Sequence, residues 1–205
     1  KTFEKRPDGT ISKSSYPNVY EVTTHRETPR DMRDLEQLIK AYAAKAYCLV
    51  KGNPTKDLHK QSRAGTTDSS ATTDWVCFDI DGLPSTVPET FLAALSLSDV
   101  SYVIQYSASY GIENKDLRCH IFMQLDKPMA APLLKQWLIE LNLTTPLLNS
   151  SIRLSKTGNA LSWPLDISAC QNDKLLYISP PTLKGLRDPL PKNGRVQFVR
   201  KDKDT

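Results

Sequence analysis

The chain has 205 residues, 27 Lys+Arg against 23 Asp+Glu and a formal net charge of +4. That length fits one domain with a real core, and 39% hydrophobic with 24% charged residues excludes wholesale disorder, a collagen-like rod and a long coiled coil. No apolar run approaches the roughly 18–20 residues of a membrane span, so no membrane partner is expected. The mild positive balance permits nucleic-acid or nucleotide partners without requiring them.

Residues 1–30 are polar and rich in turn formers, with apolar positions noted at Tyr16, Val19, Tyr20 and Val22. They predict a surface arm or short hairpin. Pro29 is placed to open a helix, where its missing N–H costs nothing. Leu35, Leu38, Ile39, Tyr42, Ala43 and Ala46 then follow at helical spacing. Tyr47–Val50 reads as a buried strand, and residues 51–73 as a polar loop carrying Lys51, Lys56, Lys60 and Arg63. A regular alternation comes next: strand 75–80, helix 88–97, strand 100–106, strand 118–125, helix 131–143 and a short strand 151–154. That order is β-α-β-β-α-β, the split βαβ pattern of ferredoxin-like and RNA-recognition-motif sheets. The expected fold class is therefore α+β, an RRM-like or ferredoxin-like split βαβ sheet with an N-terminal α/β extension. A further strand is predicted at 175–178, followed by a basic segment with Lys184, Arg187, Lys192, Arg195, Arg200 and Lys201. The expected organisation is an arm and helix over 1–45 packing on the core, a main domain over 46–200 and a charged tail over 201–205. Both ends read as cuts from a longer polypeptide.

Cys48, Cys77, Cys119 and Cys170 form no C-x-x-C pair. Three of them lie in apolar runs, so they read as buried free thiols in a reducing cytosol, which predicts a cytoplasmic location. No zinc site is evident, because zinc ligands come in close pairs.

Chemistry concentrates at three places. Asp79-Ile80-Asp81-Gly82 closes a strand. Successive strand side chains face opposite ways, so the two acids share a face while Ile80 points to the core. Adjacent carboxylates repel unless a cation lies between them, and Mg²⁺ favours one or two carboxylates plus substrate phosphates. Two solvated aspartates at a strand end are the plain alternative. Arg118-Cys119-His120-Ile121-Phe122-Met123 places Arg118 and His120 on one face. Next to Asp79 and Asp81 that face is suited to a triphosphate; taken alone, His120 is an ordinary half-buried histidine. Ser107 and Ser109 upstream offer hydroxyls to phosphate oxygens. Asp166 sits between apolar residues in Trp163-Pro164-Leu165-Asp166-Ile167, as a third site carboxylate or an N-cap.

The order Asp79-x-Asp81, then His120 on a later strand, then Asp166 before a terminal strand resembles the archaeo-eukaryotic primase superfamily, in its phage- and plasmid-borne primase-polymerase branch. The matching stretches are 75–82, 107–125 and 166–189, and the resemblance spans roughly residues 45–200. It implies that Asp79, Asp81 and Asp166 are catalytic and bind two Mg²⁺ or Mn²⁺ ions. It also implies that His120 contacts the incoming nucleotide's triphosphate. Arg118 stands where the family often has a small hydroxyl residue, and an arginine binds phosphate too. Such domains commonly precede a helicase, so a fused or associated helicase is an expected partner.

The leading expectation is template-directed nucleotidyl transfer, by a primase or DNA polymerase in the replication of a phage, plasmid or other mobile element. Its partners would be a single-stranded DNA template, a primer strand and dNTPs or NTPs. Lys51, Lys60, Arg63, Lys184 and Arg187 would hold nucleic-acid backbone. The alternatives are a non-catalytic single-strand-binding or initiator module and, further off, a metal-dependent glycosyltransferase using Asp79-x-Asp81.

Overall fold

The computed structural model describes residues 1–15, 20–155 and 157–205, so Tyr16 and Val19 lie outside the described residues. In chain order the elements are β1 (Thr2–Lys5), β2 (Ile11–Ser14), α1 (Met32–Ala43), β3 (Leu49–Val50), β4 (Thr72–Leu83), α2 (Pro88–Ala94), β5 (Tyr102–Tyr106) and β6 (Leu117–Ala130). They continue with α3 (Ala131–Thr144), α4 (Pro146–Asn149), β7 (Arg153–Leu154), β8 (Leu161–Ser162), β9 (Leu175–Leu176), β10 (Thr182–Lys184) and β11 (Val196–Val199). The molecule is α+β. No described helix is long and apolar enough to cross a membrane.

The main sheet has the order β11-β5-β6-β4, with β4 and β5 both antiparallel to β6. Strict alternation along these strands divides their side chains between two faces. Val76, Phe78, Ile80, Tyr102, Ile104, Cys119, Ile121 and Met123 pack with Phe91 and Leu92 of α2 and Leu134 and Leu138 of α3. On the other face Cys77, Val103, Phe122 and Val196 pack with Ile39 and Ala43 of α1 and with Leu176 and Ile178. This second face is apolar at one end only. Farther along β4 it becomes charged, because Asp79 and Asp81 follow Cys77 at the same alternation.

Several boundaries differ from the sequence expectation, each for a local reason. Helix α1 starts at Met32 rather than at Pro29, because Asp31 is the N-cap and its carboxylate accepts from the Asp34 N–H at 2.8 Å. The stretch 151–154 is not the fourth strand of the main sheet. Its two ladder residues form a separate hairpin with β8, in which Leu154 and Leu161 face each other and remain exposed. The place beside β4 goes instead to a single antiparallel bridge, Ile80 to Leu165. The opposite edge is taken by β11, inside the segment expected to be a basic tail. Residues 1–14 do form a hairpin, but Phe3 is fully buried and β1 pairs in parallel with β10. At the chain's end, Lys203 bridges to Val100 and pairs with Asp99 at 2.6 Å.

All four cysteines are free. Burial pushes the thiols of Cys77 and Cys119 well above their ordinary range, and they behave as small apolar core residues.

Candidate functional site

The site grows out of strand register. Asp79 lies opposite His120, and His120 lies opposite Gln105. On the free side of β4, the Asp166 N–H donates to the Asp79 carbonyl at 2.8 Å and the Asp81 N–H to the Pro164 carbonyl at 3.2 Å. Directly opposite residues of antiparallel strands share a face. One row across the sheet therefore reads Asp166, Asp79, His120, Gln105. The next row holds Asp81 opposite Arg118. Leu165 and Ile80 project together to the other side and are buried in the core, which anchors the loop that carries Asp166.

Each acid meets a basic partner. His120 Nε2 is 3.4 Å from Asp79 Oδ1. Arg118 Nη1 donates to Asp81 Oδ1. Lys174 Nζ donates to Asp166 Oδ2 at 2.7 Å and to Ser168 Oγ at 2.6 Å. Asp166 also caps the following turn by accepting from the Ser168 N–H at 2.8 Å. Exposure grades outward: the Asp79 side chain is 20% exposed and that of Asp81 is 74% exposed. Burial acts to raise the Asp79 pKa, but the hydrogen bond and charge of His120, helped by Lys174, outweigh it and hold the carboxyl below its usual 3.8. Burial likewise acts to lower Lys174, and Asp166 and Asp79 together reverse it, so the ammonium is held above its ordinary value.

Gln105 sets the tautomer of His120. The Gln105 side-chain amide donates through Nε2 to the Tyr106 carbonyl at 2.7 Å and toward the Ile178 carbonyl at 3.4 Å. Its Oε1 is thus the acceptor for His120 Nδ1 at 2.6 Å, so Nδ1 carries a proton. Nε2 then has a free lone pair in the neutral ring and donates to Asp79 only in the imidazolium. Gln105 and Lys174 were not among the residues singled out from sequence. The available signals were a lone polar residue inside the apolar run Tyr102–Tyr106 and a lysine at the entry of an apolar strand.

The other predicted positions fall as follows. Ser109 is buried and its hydroxyl lies 3.2 Å from that of Ser107. The Ser107 N–H donates to the Arg118 carbonyl at 2.9 Å, which places this serine at the edge of the charged face. Lys60, Lys184 and Arg187 are exposed and Arg63 is half-buried. Lys51 is a correction. It is 2% exposed, its ammonium donates to Thr73 Oγ1 at 2.5 Å and the Trp75 carbonyl at 3.0 Å, and it lies 4.2 Å over the Trp75 ring. Nothing as large as a phosphate backbone reaches it. Arg195, counted from sequence in the basic segment, is also buried, clasping Asp188 at 2.7 and 2.8 Å.

The donor chemistry of this face, three carboxylates with hard oxygens, suits Mg²⁺ or Mn²⁺. Among the described residues, however, no group of three or more His, Cys, Asp or Glu side chains converges closely enough to hold a metal ion. The carboxylates are held by His120, Arg118 and Lys174 instead. The face is thus a patch of fixed, paired charge of both signs, suited to a ligand that itself carries phosphates and cations. No family model, curated protein or solved structure matches this chain.

Proposed function

We propose that this chain is a template-directed nucleotidyltransferase of the primase-polymerase type, acting in the replication of a phage, plasmid or other mobile element. The observation that carries the reading is the shared face of Asp79, Asp81, Asp166 and His120, reached from three separate stretches of sequence. Asp79 and Asp81, with Asp166 beside them, would hold Mg²⁺ or Mn²⁺. When bound, such ions acidify an attacking 3′-hydroxyl and neutralise phosphate charge. Arg118 and Lys174, each now on an aspartate, are cations of the right kind to take phosphate oxygens in exchange for carboxylate. His120, oriented by Gln105, presents Nε2 to the same ligand. Positioning and charge stabilisation are the protein's own contribution. Exposed Lys60, Lys184 and Arg187 would contact the backbone of template and primer. A helicase, fused or associated, is the proposed partner.

The test is nucleotide incorporation on single-stranded DNA, with and without primer, with dNTPs or NTPs and Mg²⁺ or Mn²⁺. Wild-type protein is expected to give metal-dependent product. Asp79→Ala and Asp81→Ala are expected to lower incorporation by at least about 100-fold while keeping the fold. Full activity in either variant would sink the reading.

One observation favours a second reading. Every acid of the site already has a basic partner, as in a face that binds nucleic acid without chemistry. A non-catalytic single-strand-binding or initiator module would bind DNA equally well with and without divalent metal, and would incorporate nothing.

A further inference from the structure

Helix α3 is apolar on two sides. Leu134 and Leu138 enter the core against the main sheet. A helix packed by one face is expected to be polar on the rest of its surface. Leu133, Trp137 and Leu143 instead extend the apolar surface outward, and Leu133 and Leu143 are 52% and 49% exposed. With Gln136 and Glu140 they recur at three- and four-residue spacing, which sets all five on one side of the helix.

That side is one wall of a groove of about 830 Å³, whose floor includes the buried Val76 of β4 and Met123 of β6. The charged side chains that line it are Asp126 and Glu140. Both are exposed, and neither has an ion-pair partner among the described residues. No lysine or arginine is among the lining residues; Lys127, next to Asp126 in the chain, does not line the groove. An apolar groove with an acidic rim, in a chain of net charge +4, suits an occupant that brings exposed apolar side chains and positive charge.

The chain itself carries an element of that kind. Leu154 and Leu161 lie opposite each other in the β7–β8 hairpin and are 68% and 47% exposed. Opposite residues share a face, so the two side chains make one apolar knob. Between Glu140 and Asp166 the sequence holds Arg153 and Lys156 and no acidic residue. Arg153 is exposed, and its guanidinium donates to the carbonyls of Ser150 at 3.0 Å and Ile152 at 3.2 Å. No carboxylate pairs with it among the described residues, so its charge is uncompensated. No described residue of the hairpin lines the groove of its own chain.

We propose that this groove is the docking site for the β7–β8 hairpin of a second copy of this chain. Leu154 and Leu161 of one copy lie against Leu133, Trp137 and Leu143 of the other, and the positive hairpin lies against Asp126 and Glu140. Each copy has one groove and one hairpin, so two copies exchange them reciprocally and close as a two-fold pair. Such a contact needs both features in one patch of surface. The groove reaches Leu143 and Thr144 at the end of α3, and α4 is the one element between that end and the hairpin. None of Asp79, Asp81, Asp166 or His120 lines the groove, so the pairing stands apart from nucleotidyl transfer.

The test is sedimentation equilibrium of the full chain, without metal or nucleotide. A monomer–dimer equilibrium is expected, with a Kd on the order of 10–100 µM for a contact of this size. Two double variants separate its halves. Leu154→Ser with Leu161→Ser removes the knob, and Leu133→Ser with Leu143→Ser removes the wall that receives it. Each is expected to be monomeric alone up to about 500 µM. Mixed in equal amounts they should form a dimer, weaker than that of the wild type, because the intact hairpin of one meets the intact groove of the other. Mixing would not repair two misfolded proteins. Asp126→Lys with Glu140→Lys reverses the rim and should raise Kd on the order of tenfold. A wild-type chain still monomeric at about 500 µM overturns the proposal and leaves the groove to a different basic partner. A dimer unchanged in any of the three variants overturns it too, as does a mixture that stays monomeric.

Discussion

His120 is the residue whose chemistry is most tightly specified by its neighbours. Gln105 can only accept from it, so the ring is protonated at Nδ1 and Nε2 faces Asp79. Gln105→Leu keeps the volume but leaves that N–H unpaired in a buried site, which costs about 1–3 kcal/mol. The expected signature in ring ¹⁵N NMR of the variant is a shift of the neutral His120 population toward the Nε2–H tautomer. An unchanged tautomer would show that Gln105 does not orient the ring. Lys51 offers a test of a different kind. Burial brings its pKa down from 10.5 to about 8. Both folded and unfolded states carry the proton below pH 8, and only the unfolded state keeps it between 8 and 10.5. Stability relative to a Lys51→Met variant therefore rises across that window, by about 3 kcal/mol at 1.36 kcal/mol per pH unit. Urea unfolding of both proteins from pH 7 to 10.5 measures it, and a constant difference would contradict the burial of this lysine. Nothing in the local sequence marks it: a lysine before Gly-Asn-Pro reads as solvated. Its burial depends on the indole of Trp75, 24 positions later in the chain.

At the scale of elements, β4 and β6 carry the site, and their period-two alternation is legible without a structure. The same arithmetic that puts Ile80 in the core puts Asp79 and Asp81 on the opposite face, and β6 repeats it with Arg118 and His120. The pairing of Asp79 with His120 in one row is a matter of register, which alternation alone does not supply. Two elements were illegible for a physical reason. β11 is a four-residue strand whose partner β5 lies far back in the chain. The strip beside β4 is one bridge at Leu165, too short for any period to reveal, and the exposed hairpin of β7 and β8 has the composition expected of it instead. Gly82 sits at a bulge one residue before the end of β4, with φ +97. A Cβ there would lie 2.9 Å from Arg118 Nη2, so the glycine lets the guanidinium lie over the backbone beside Asp81. Gly82→Ala is expected to cost about 1–3 kcal/mol from the backbone alone, with a further loss from displacing Arg118. In an Arg118→Ala background the second part should vanish, and a double-mutant cycle by chemical denaturation reads the difference. Equal costs in both backgrounds would mean that the guanidinium does not lie there.

The whole molecule is closed by its two ends. β1 pairs with β10, so Phe3 stands opposite Leu183, and β11 completes the main sheet beside β5. From sequence, the first 45 residues read as an arm and helix packing on the core, but nothing local says which strand the arm joins. Pairing between residues 180 positions apart leaves no local trace, so the arm's attachment could only be seen in three dimensions. Charge distributes the same way. Lysines and arginines that look like one basic tail divide into exposed Lys184 and Arg187 and buried Arg195, whose partner Asp188 lies seven residues before it.

The order in which a ribosome releases these strands matters for a sheet closed this way. β4, β5 and β6 can pair as soon as Ala130 has emerged, but the outer edge of β5 stays open until Val199 follows, and β1 waits for Lys184. At about 5–20 residues per second the first strand spends on the order of 10–40 s without its long-range partner. Throughout that time the side chain of Phe3 remains available to other chains, and the outer edge of β5 does so for about 5–20 s between the release of Tyr106 and that of Val199. Synthesis rate and chaperone supply would then bear on the yield of this protein in a cell alongside its final stability.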